Sequence, residues 1–264
     1  METQLEASLL ACTTNNTQTI RQGEEALQKL LRGKSSVINL IKLIRTSSHA
    51  SVRQLAAVLL RVKIGMHWIK FNLNEQQFCK TTLLESLFFE PIRSVRLCIC
   101  YAVAALAKLT LNTVGWPELL EVINKSTKDL HSPENRELGF LLINSITEPL
   151  ILSLVSNFGE IIQLFTDSLT HENDPKVISA ILRATTSVIE FLSEEKDVMK
   201  FQPLIAYLIH SLNHDFDRTD EFRINSALEV IEEESVQKLA VSPSSTSEAR
   251  NEKQSILMLP HQHF

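Results

Sequence analysis

Glycine and proline are scarce in this sequence, with 6 glycines and 8 prolines among 264 residues. Proteins built from short strands and tight turns use more of both residues. No segment shows the alternation of polar and apolar residues that marks a half-buried strand. Leucine, isoleucine, alanine and serine are abundant instead. This composition favours α-helices joined by short turns and argues against a β-sheet protein.

Cysteine is also scarce, and no apolar run is long. The four cysteines, Cys12, Cys79, Cys98 and Cys100, form no CxxC pair and lie in apolar helical patterns, so reduced and buried thiols are expected. The apolar run at 97–107 has 11 residues, whereas a helix that crosses a bilayer needs about 20. We therefore expect no disulfide framework, no metal, no cofactor and no membrane segment.

Motifs of catalysis are missing as well. The sequence has no P-loop, no GxSxG and no HExxH motif. His210 and His214 have a spacing that could share a metal ion, but the sequence places no third ligand beside them. The acidic cluster at 232–234 lacks an apolar pocket that would separate the pKa values of its carboxyl groups. We expect that the protein is not an enzyme.

Charge is distributed unevenly along the chain. Residues 1–133 carry 16 Lys and Arg against 10 Asp and Glu, whereas residues 134–234 carry 7 against 19. An acidic half of this strength does not suit the phosphate backbone of a nucleic acid, but it suits basic protein partners. The alternative is an ordinary solvated acidic surface.

A motif recurs along the chain at intervals typical of helical-pair solenoids. The segment SVRQLAAVLLR at 51–61 is followed by four similar segments, whose equivalent positions are Arg53, Arg96, Arg136, Ile178 and Arg223, at spacings of 43, 40, 42 and 45 residues. An arginine suits this position because its stem packs on apolar surface while its planar fork bonds carboxylates or carbonyls of the next repeat.

Each recurring segment is predicted to be the second helix, B, of a pair whose first helix, A, precedes it. The A helices are predicted at about 5–12, 35–46, 75–90, 117–128, 159–170 and 198–213, and the B helices at about 20–33, 51–70, 92–111, 134–156, 175–192 and 220–236. Six antiparallel pairs make an all-α, right-handed HEAT-repeat superhelical solenoid over residues 1–236. The Ser-rich residues 237–264 are predicted to be a disordered or divergent tail.

The B helix at 51–70 is apolar nearly all round. A helical wheel predicts a buried stripe that is widened by Val58, Leu60 and Ile64. The stripe itself consists of Val52, Leu55, Ala56, Leu59, Val62, Met66 and Ile69. The narrow face left for solvent or a partner consists of Gln54, Ala57, Arg61, Gly65 and Trp68.

Two pairs of motifs resemble a known family. EEALQKLLRG at 24–33, followed by VRQLAAVLLRVKIGMHW at 52–68, is similar to the importin-β N-terminal domain of karyopherins, which would occupy about residues 20–70. GWPELLEVI at 115–123 and HSPENRELGFLLINSI at 131–146 are similar to motifs of one particular importin. The resemblance extends over about residues 5–236.

The resemblance implies a nuclear transport receptor that moves between cytoplasm and nucleus through the pores of the nuclear envelope. Its implied partners are Ran-GTP, phenylalanine-glycine nucleoporins and basic protein cargo such as histones or ribosomal proteins, with no membrane and no direct nucleic acid. In karyopherins the inner face of the N-terminal B helices carries much of the Ran contact. Matched to this sequence, that face comprises Arg21, Glu25, Lys29, Arg32, Gln54, Arg61 and Trp68.

Alternatives remain open from the sequence. Trp68 also fits a packing role between repeats, because large aromatic residues near helix ends usually fill gaps. The recurring arginine is shared by other HEAT-repeat proteins, so a scaffold or adaptor without transport activity predicts the same fold. Full karyopherins continue for many more repeats than this sequence contains.

Overall fold

The computed structural model of the chain is all-helical in residues 2–153, 158–192 and 199–204, which are the residues that it describes. No strand occurs within those ranges. The α-helices are α1 (Glu2–Cys12), α2 (Thr17–Leu30), α3 (Ser35–Thr46), α4 (Ala50–His67), α5 (Leu73–Phe89), α6 (Arg93–Thr110), α7 (Pro117–Thr127), α8 (Pro133–Ser145), α9 (Thr147–Ser153), α10 (Phe158–His171) and α11 (Pro175–Phe191). Two short 3₁₀ helices lie at Trp68–Lys70 and Met199–Leu204.

These helices follow the predicted alternation of A and B segments. The helix predicted at 35–46 coincides with α3, and the other predicted ends in this part of the chain lie within a few residues of those observed. The prediction of one continuous helix at 134–156 is wrong, because α8 ends at Ser145 and α9 begins at Thr147. A continuous helix would place the ring of Pro149 against the carbonyl of Ser145, four residues earlier.

The chain contacts divide it into two units, one of residues 1–156 with 172–184 and the other of residues 157–171 with 185–264. In the first unit, α1 and α2, α3 and α4, α5 and α6, and α7 and α8 pack as pairs. Connections of three to five residues make each pair antiparallel. The A helices α1, α3 and α5 contact one another in order, as do the B helices α4, α6 and α8, so A and B helices form two layers.

The core of the first unit lies between these layers. In the second pair it is formed by Leu40 and Ile41 of α3 against Leu60 and Ile64 of α4, all of which are fully buried. Because α4 contacts α1, α3 and α6, it is covered on more than one side. This explains why its sequence is apolar over more than half of its circumference.

Local signals in the sequence set where the helices begin. The Asn72 side chain accepts a hydrogen bond from the Glu75 amide, and the Glu75 carboxylate accepts one from the Asn72 amide, which completes a capping box at the start of α5. Ser132 caps α8, where Pro133 occupies the first helical position. These caps fix the turns that join A and B helices.

In the second unit, α10 packs against the 3₁₀ helix at Met199–Leu204. Phe165 of α10 and Phe201 and Leu204 of the 3₁₀ helix are fully buried. The predicted sixth helix pair, apart from this short segment, lies outside the described residues, as do Arg223, His210, His214 and the predicted tail.

Candidate partner-binding surfaces

The recurring arginine of the second repeat joins two neighbouring repeats. The Arg53 fork donates to both carboxylate oxygens of Glu90, at 2.7 and 2.9 Å, and Nη1 donates to the Ser47 carbonyl at 2.9 Å. Both side chains of this ion pair are almost fully buried. The hydrogen bonds to Glu90 raise the pKa of Arg53, which keeps the guanidinium charged. The expected link from an arginine fork to the next repeat is confirmed here.

Arg136 repeats the same arrangement one helix pair beyond Arg96. Its fork donates to both carboxylate oxygens of Glu172, at 2.6 and 3.0 Å, and Nη1 donates to the Asp129 carbonyl at 2.8 Å. Burial opposes ionisation of Glu172, but hydrogen bonds from Arg136 and from backbone amides outweigh it and lower the pKa of Glu172. The ion pair is therefore maintained as a charged, bidentate contact.

Arg96 departs from this arrangement. Its Nε and Nη2 both donate to the carbonyl of Glu90, in the turn of its own repeat, at 2.9 and 2.7 Å. Arg93, one helical turn earlier on α6, takes over the link to the next repeat and binds the Glu137 carboxylate of α8. The prediction that each recurring arginine bonds the next repeat is therefore wrong for Arg96.

The exposed face of α4 is wider than the sequence predicted. Gln54, Arg61 and Gly65 are exposed, as expected for a partner-binding edge. Val58, Val62 and Met66 belong to the predicted buried stripe or its flank, yet 46%, 64% and 59% of their surfaces are exposed. Leu59 is only half-buried, whereas its neighbour Leu60 is fully buried.

The buried side of α4 is set by its neighbours rather than by its longest apolar stripe. Ala56 and Ala57 are completely buried, and their small side chains allow α4 to approach its neighbours closely. Assigning Ala57 to the open face was therefore wrong. A wheel that is apolar almost all round does not identify which sides other helices will cover.

Trp68 does not belong to the exposed edge, so its predicted direct contact with a partner is corrected. The α-helix ends at His67, and Trp68 begins the 3₁₀ helix, where only 6% of its surface is exposed. Its ring lies edge-on to Phe71 with centroids 6.1 Å apart. The alternative role, packing between helices, is the one that the structure supports.

Three of the four residues predicted on the first repeat share one face of α2, and the fourth, Arg32, lies in the turn after this helix ends at Leu30. Arg21, Glu25 and Lys29 follow one another on α2 at intervals of four residues, and all four side chains, including that of Arg32, are exposed. None of them forms an ion pair within the described part of the chain. Their charges are thus available to a partner. Asn16 caps this helix through the amides of Gln18 and Thr19.

A second surface, which the sequence analysis missed, is a groove between the A helices α5 and α7. It is a cavity of about 330 Å³ whose lining includes Leu84, Phe88 and Phe89 of α5 and Trp116 at the start of α7. Phe88 and Phe89 are exposed, and the Arg45 guanidinium lies 4.8 Å from the Phe89 ring centroid. The adjacent phenylalanines Phe88 and Phe89 are the feature of the sequence that could have indicated this groove.

Lys80 fixes the wall of this groove. Its Nζ donates to the Gly115 carbonyl at 2.9 Å and lies 5.7 Å from the centroid of the buried Trp116 ring. Burial lowers the pKa of Lys80, while Glu118 acts in the opposite direction. Gly115 has φ of 74°, a left-handed conformation that glycine adopts without strain. The groove wall is thereby held by one long-range contact.

Within residues 2–153, 158–192 and 199–204 there is no cluster of three or more His, Cys, Asp or Glu side chains placed to hold a metal. Over the same ranges, no helix has the length and apolar character that crossing a bilayer requires.

Family models match consecutive parts of the chain. The Importin-beta N-terminal domain matches residues 23–88, and the family described as IPO5-like, TPR repeats matches residues 91–242, more than half of the chain. This chain is a member of the importin-β family. The first match contains α3, α4 and nearly all of α5, and the second begins beside α6.

Curated relatives support the same assignment. Importin-4 of Mus musculus is 27% identical over 229 residues, and importin-4 of Homo sapiens is 28% identical over 232 residues. Each match covers 87% of this chain and 21% of the relative, so the chain spans about a fifth of the length of these importins. Importin-4 is the particular importin that the motifs at 115–123 and 131–146 resemble. The probable importin subunit beta-4 of Schizosaccharomyces pombe is 31% identical over 134 residues, covering 50% of this chain and 12% of that protein.

Solved structures show the same fold. Kap121p bound to RanGTP aligns with a TM-score of 0.66 at 20% identity, covering 92% of this chain and 22% of that one. Kap121p bound to the SUMO protease Ulp1p aligns with a TM-score of 0.70 at 21% identity, covering 87% and 22%. At these identities the likeness concerns the fold, and it confirms the predicted all-α HEAT-repeat architecture.

Proposed function

We propose that this chain is the N-terminal portion of an importin-type nuclear transport receptor that binds Ran-GTP. The observation that carries the proposal is the match of residues 23–88 to the Importin-beta N-terminal domain. Kap121p, a protein of the same fold, has been solved in complex with RanGTP. The receptor moves between cytoplasm and nucleus through the pores of the nuclear envelope.

The proposed Ran surface consists of the exposed residues on α2 and the neighbouring edge of α4. On α2 these are Arg21, Glu25 and Lys29, and Arg32 lies in the turn that follows this helix. On α4 they are Gln54 and Arg61, while the buried Trp68 supports the end of the helix from inside. All six exposed residues are polar or charged, so they can form hydrogen bonds and ion pairs without rearrangement of the core.

Charge reversal tests this surface. Arg61→Glu is expected to weaken binding of Ran-GTP about tenfold or more without changing the circular dichroism spectrum, since Arg61 is exposed and forms no ion pair. Lys42→Glu, on the exposed side of the A helix α3, is the matched control and should bind like the wild type. Wild-type affinity of Arg61→Glu would exclude this edge of α4 from the Ran surface.

The groove between α5 and α7 is proposed to bind phenylalanine-glycine nucleoporins. The surface that lines it is mainly apolar, and its volume of about 330 Å³ lies at the lower end of the range of small-molecule pockets, which leaves room for a phenylalanine side chain. It opens on the A-helix layer, whereas the proposed Ran surface lies on B helices. Ran and a nucleoporin would therefore approach different layers of the first unit.

Truncation of the exposed phenylalanines tests the groove. The double variant Phe88→Ala with Phe89→Ala is expected to lose most binding to an immobilised phenylalanine-glycine repeat peptide. The control is Leu130→Ala, which removes an even more exposed apolar side chain outside the groove. Equal retention of the double variant and the control would exclude the groove as a nucleoporin site.

The acidic residues of the second half are proposed to favour basic cargo, such as histones or ribosomal proteins. Residues 134–234 carry 19 acidic against 7 basic residues. A HEAT-repeat scaffold without transport activity is the alternative. This alternative predicts that the chain does not distinguish Ran-GTP from Ran-GDP.

A further inference from the structure

The adjacent B helices α4 and α6 share an unusual charge composition. Neither helix contains an aspartate or a glutamate. Their cations are Arg53, Arg61, Lys63, Arg93, Arg96 and Lys108. Arg53, Arg93 and Arg96 are engaged in the links between and within repeats.

The remaining cations have no carboxylate partner in the described part of the chain. Arg61, Lys63 and Lys108, together with Lys70 in the 3₁₀ helix that follows α4, form no ion pair there. Arg61, Lys70 and Lys108 are exposed. The surface around these helices therefore carries positive charge that the described residues do not neutralise.

An apolar stripe runs along the same side of α4. Val58, Val62, Met66 and Ile69 follow at intervals of four, four and three residues and are 46%, 64%, 59% and 88% exposed. Val58, Val62 and Met66 therefore lie on one side of α4 over a length of about 12 Å, and Ile69 follows them in the 3₁₀ helix at Trp68–Lys70. Gly65 lies among them, and a Cβ added at Gly65 would meet nothing within 4 Å, so the stripe contains an open notch.

Helix α6 extends this surface sideways. Tyr101 is exposed, and the Arg61 guanidinium lies 5.8 Å from its ring centroid, so the open sides of α4 and α6 meet at this contact. Lys108 lies two turns beyond Tyr101 on α6. We name the surface formed by Val58, Arg61, Val62, Met66, Ile69, Tyr101 and Lys108 the α4–α6 face.

We infer that the α4–α6 face binds an acidic amphipathic α-helix of a partner protein. Val58, Val62 and Met66, at i, i+4 and i+8 along α4, form an exposed apolar strip on which the apolar face of a partner helix can pack. The unpaired cations that border them attract glutamate and aspartate on the flanks of such a helix. The inference does not rest on Ran binding, although Arg61 belongs to both proposed surfaces.

Other occupants fit this charge pattern less well. A second copy of the chain, docked through the same face, would bring two surfaces of unpaired positive charge together, and like charges across an interface disfavour such a contact. An anionic membrane would match the charge, so vesicles form a separate arm of the test.

The probe is a fluorescein-labelled designed peptide of about 18 residues, with leucines at helical i, i+3, i+4 and i+7 positions and glutamates between them. The control peptide has lysines in place of the glutamates. In fluorescence anisotropy titrations with the full chain and without Ran, we expect the acidic peptide to bind at least about tenfold more tightly. Binding should weaken as NaCl rises from about 50 to about 500 mM.

Variants assign the binding to the face. Val62→Ser with Met66→Ser should remove the apolar anchors, and Arg61→Glu with Lys108→Glu should reverse the charge, each weakening the acidic peptide about tenfold or more. Because all four side chains are exposed, the circular dichroism spectrum should not change. Leu130→Ser with Lys42→Glu makes matched changes elsewhere and should bind like the wild type.

Four outcomes would overturn the inference. The first is no binding of the acidic peptide, and the second is equal binding of the lysine peptide. The third is wild-type affinity of both face variants. The fourth is binding to phosphatidylserine vesicles that the face variants abolish, without any binding of the acidic peptide, which would assign the face to a membrane.

Discussion

Glu90 is the residue at which the second and third repeats meet. Its carboxylate accepts two hydrogen bonds from Arg53, and its backbone carbonyl accepts two from Arg96. Glu90→Ala would leave the Arg53 guanidinium buried without its partner. We expect the free energy of unfolding, measured by urea denaturation, to fall by about 3 kcal/mol.

The matched control for this substitution lies on α5, the helix that ends one residue before Glu90. Glu85 is exposed and forms no ion pair, so Glu85→Ala should change the free energy of unfolding by less than about 0.5 kcal/mol. Equal unfolding midpoints for the two variants would contradict the role given to the Arg53–Glu90 pair.

The structure and the helical wheel differ in which of the neighbouring residues Leu59 and Leu60 is buried in the core. The wheel put Leu59 in the main buried stripe, but Leu60 is the fully buried residue and Leu59 is half-buried. Leu60→Ala is expected to cost about 2–5 kcal/mol because it leaves a cavity, and Leu59→Ala should cost clearly less. If Leu59→Ala lowered the free energy of unfolding more than Leu60→Ala does, in thermal or urea unfolding, the buried stripe predicted by the helical wheel would be correct.

His67 makes stability depend on pH. Its side chain is buried, its Nδ1 has no hydrogen-bond partner among the described residues, and burial, followed by Lys70 and Lys63, lowers its pKa. An unfolded histidine titrates near about pH 6.5, so the unfolded chain binds the proton first as pH falls. The contribution of neutral, buried His67 to the free energy of unfolding is therefore greatest above that pH. It is lost as the pH falls toward the lowered pKa of His67 in the folded state.

We therefore expect acidification from about pH 7.5 to about pH 5.5 to destabilise the wild type more than His67→Gln. His49→Gln, which replaces an exposed histidine at the start of α4, should keep the pH dependence of the wild type. Parallel stability profiles for wild type and His67→Gln would show that His67 does not contribute.

At the scale of helices, close approach within one pair depends on a glycine. A Cβ added at Gly139 of α8 would lie 2.7 Å from Thr127 Cγ2 and 2.8 Å from Thr127 N of α7. Gly139→Ala should force the two helices apart and cost about 1–3 kcal/mol. Gly65→Ala, on the open face of α4, should instead stabilise by about 0.5–1 kcal/mol. If Gly139→Ala and Gly65→Ala lowered the free energy of unfolding equally, close packing at Gly139 would not explain the effect.

Helix positions were predictable because their signals are local. Asn72 and Ser132 mark helix starts, and Pro133 and Pro175 occupy first helical positions. The break before α9 follows from Pro149, a signal that the apolar pattern obscured. Which sides of α4 are covered could not be predicted, because that depends on where α1, α3 and α6 pack, and an almost entirely apolar helix offers no internal contrast.

At the scale of the whole chain, the recurring motif predicted the repeat architecture. Spacings of 40 to 45 residues predicted stacked helix pairs, and four of these pairs are seen packed in the described residues. Both helices of the fifth pair are present as α10 and α11, and the sixth pair falls almost entirely outside the described residues. The Arg53 and Arg136 links were anticipated in chemistry, whereas the exchange of Arg96 for Arg93 was not. Arg93 makes the link because Glu137 of the neighbouring helix α8 lies within its reach. The spacing of the motif along the sequence does not show this.

Nucleotide-dependent binding to Ran is the property that separates an importin from a scaffold of the same fold. We expect isothermal titration of the full chain to show binding to Ran-GTP at least about tenfold tighter than binding to Ran-GDP. Arg61→Glu should reduce the Ran-GTP affinity, and Lys42→Glu should not. Equal affinity for the two nucleotide states, or no binding to either by a chain that is folded by circular dichroism, would contradict the assignment of this chain to Ran-dependent nuclear transport.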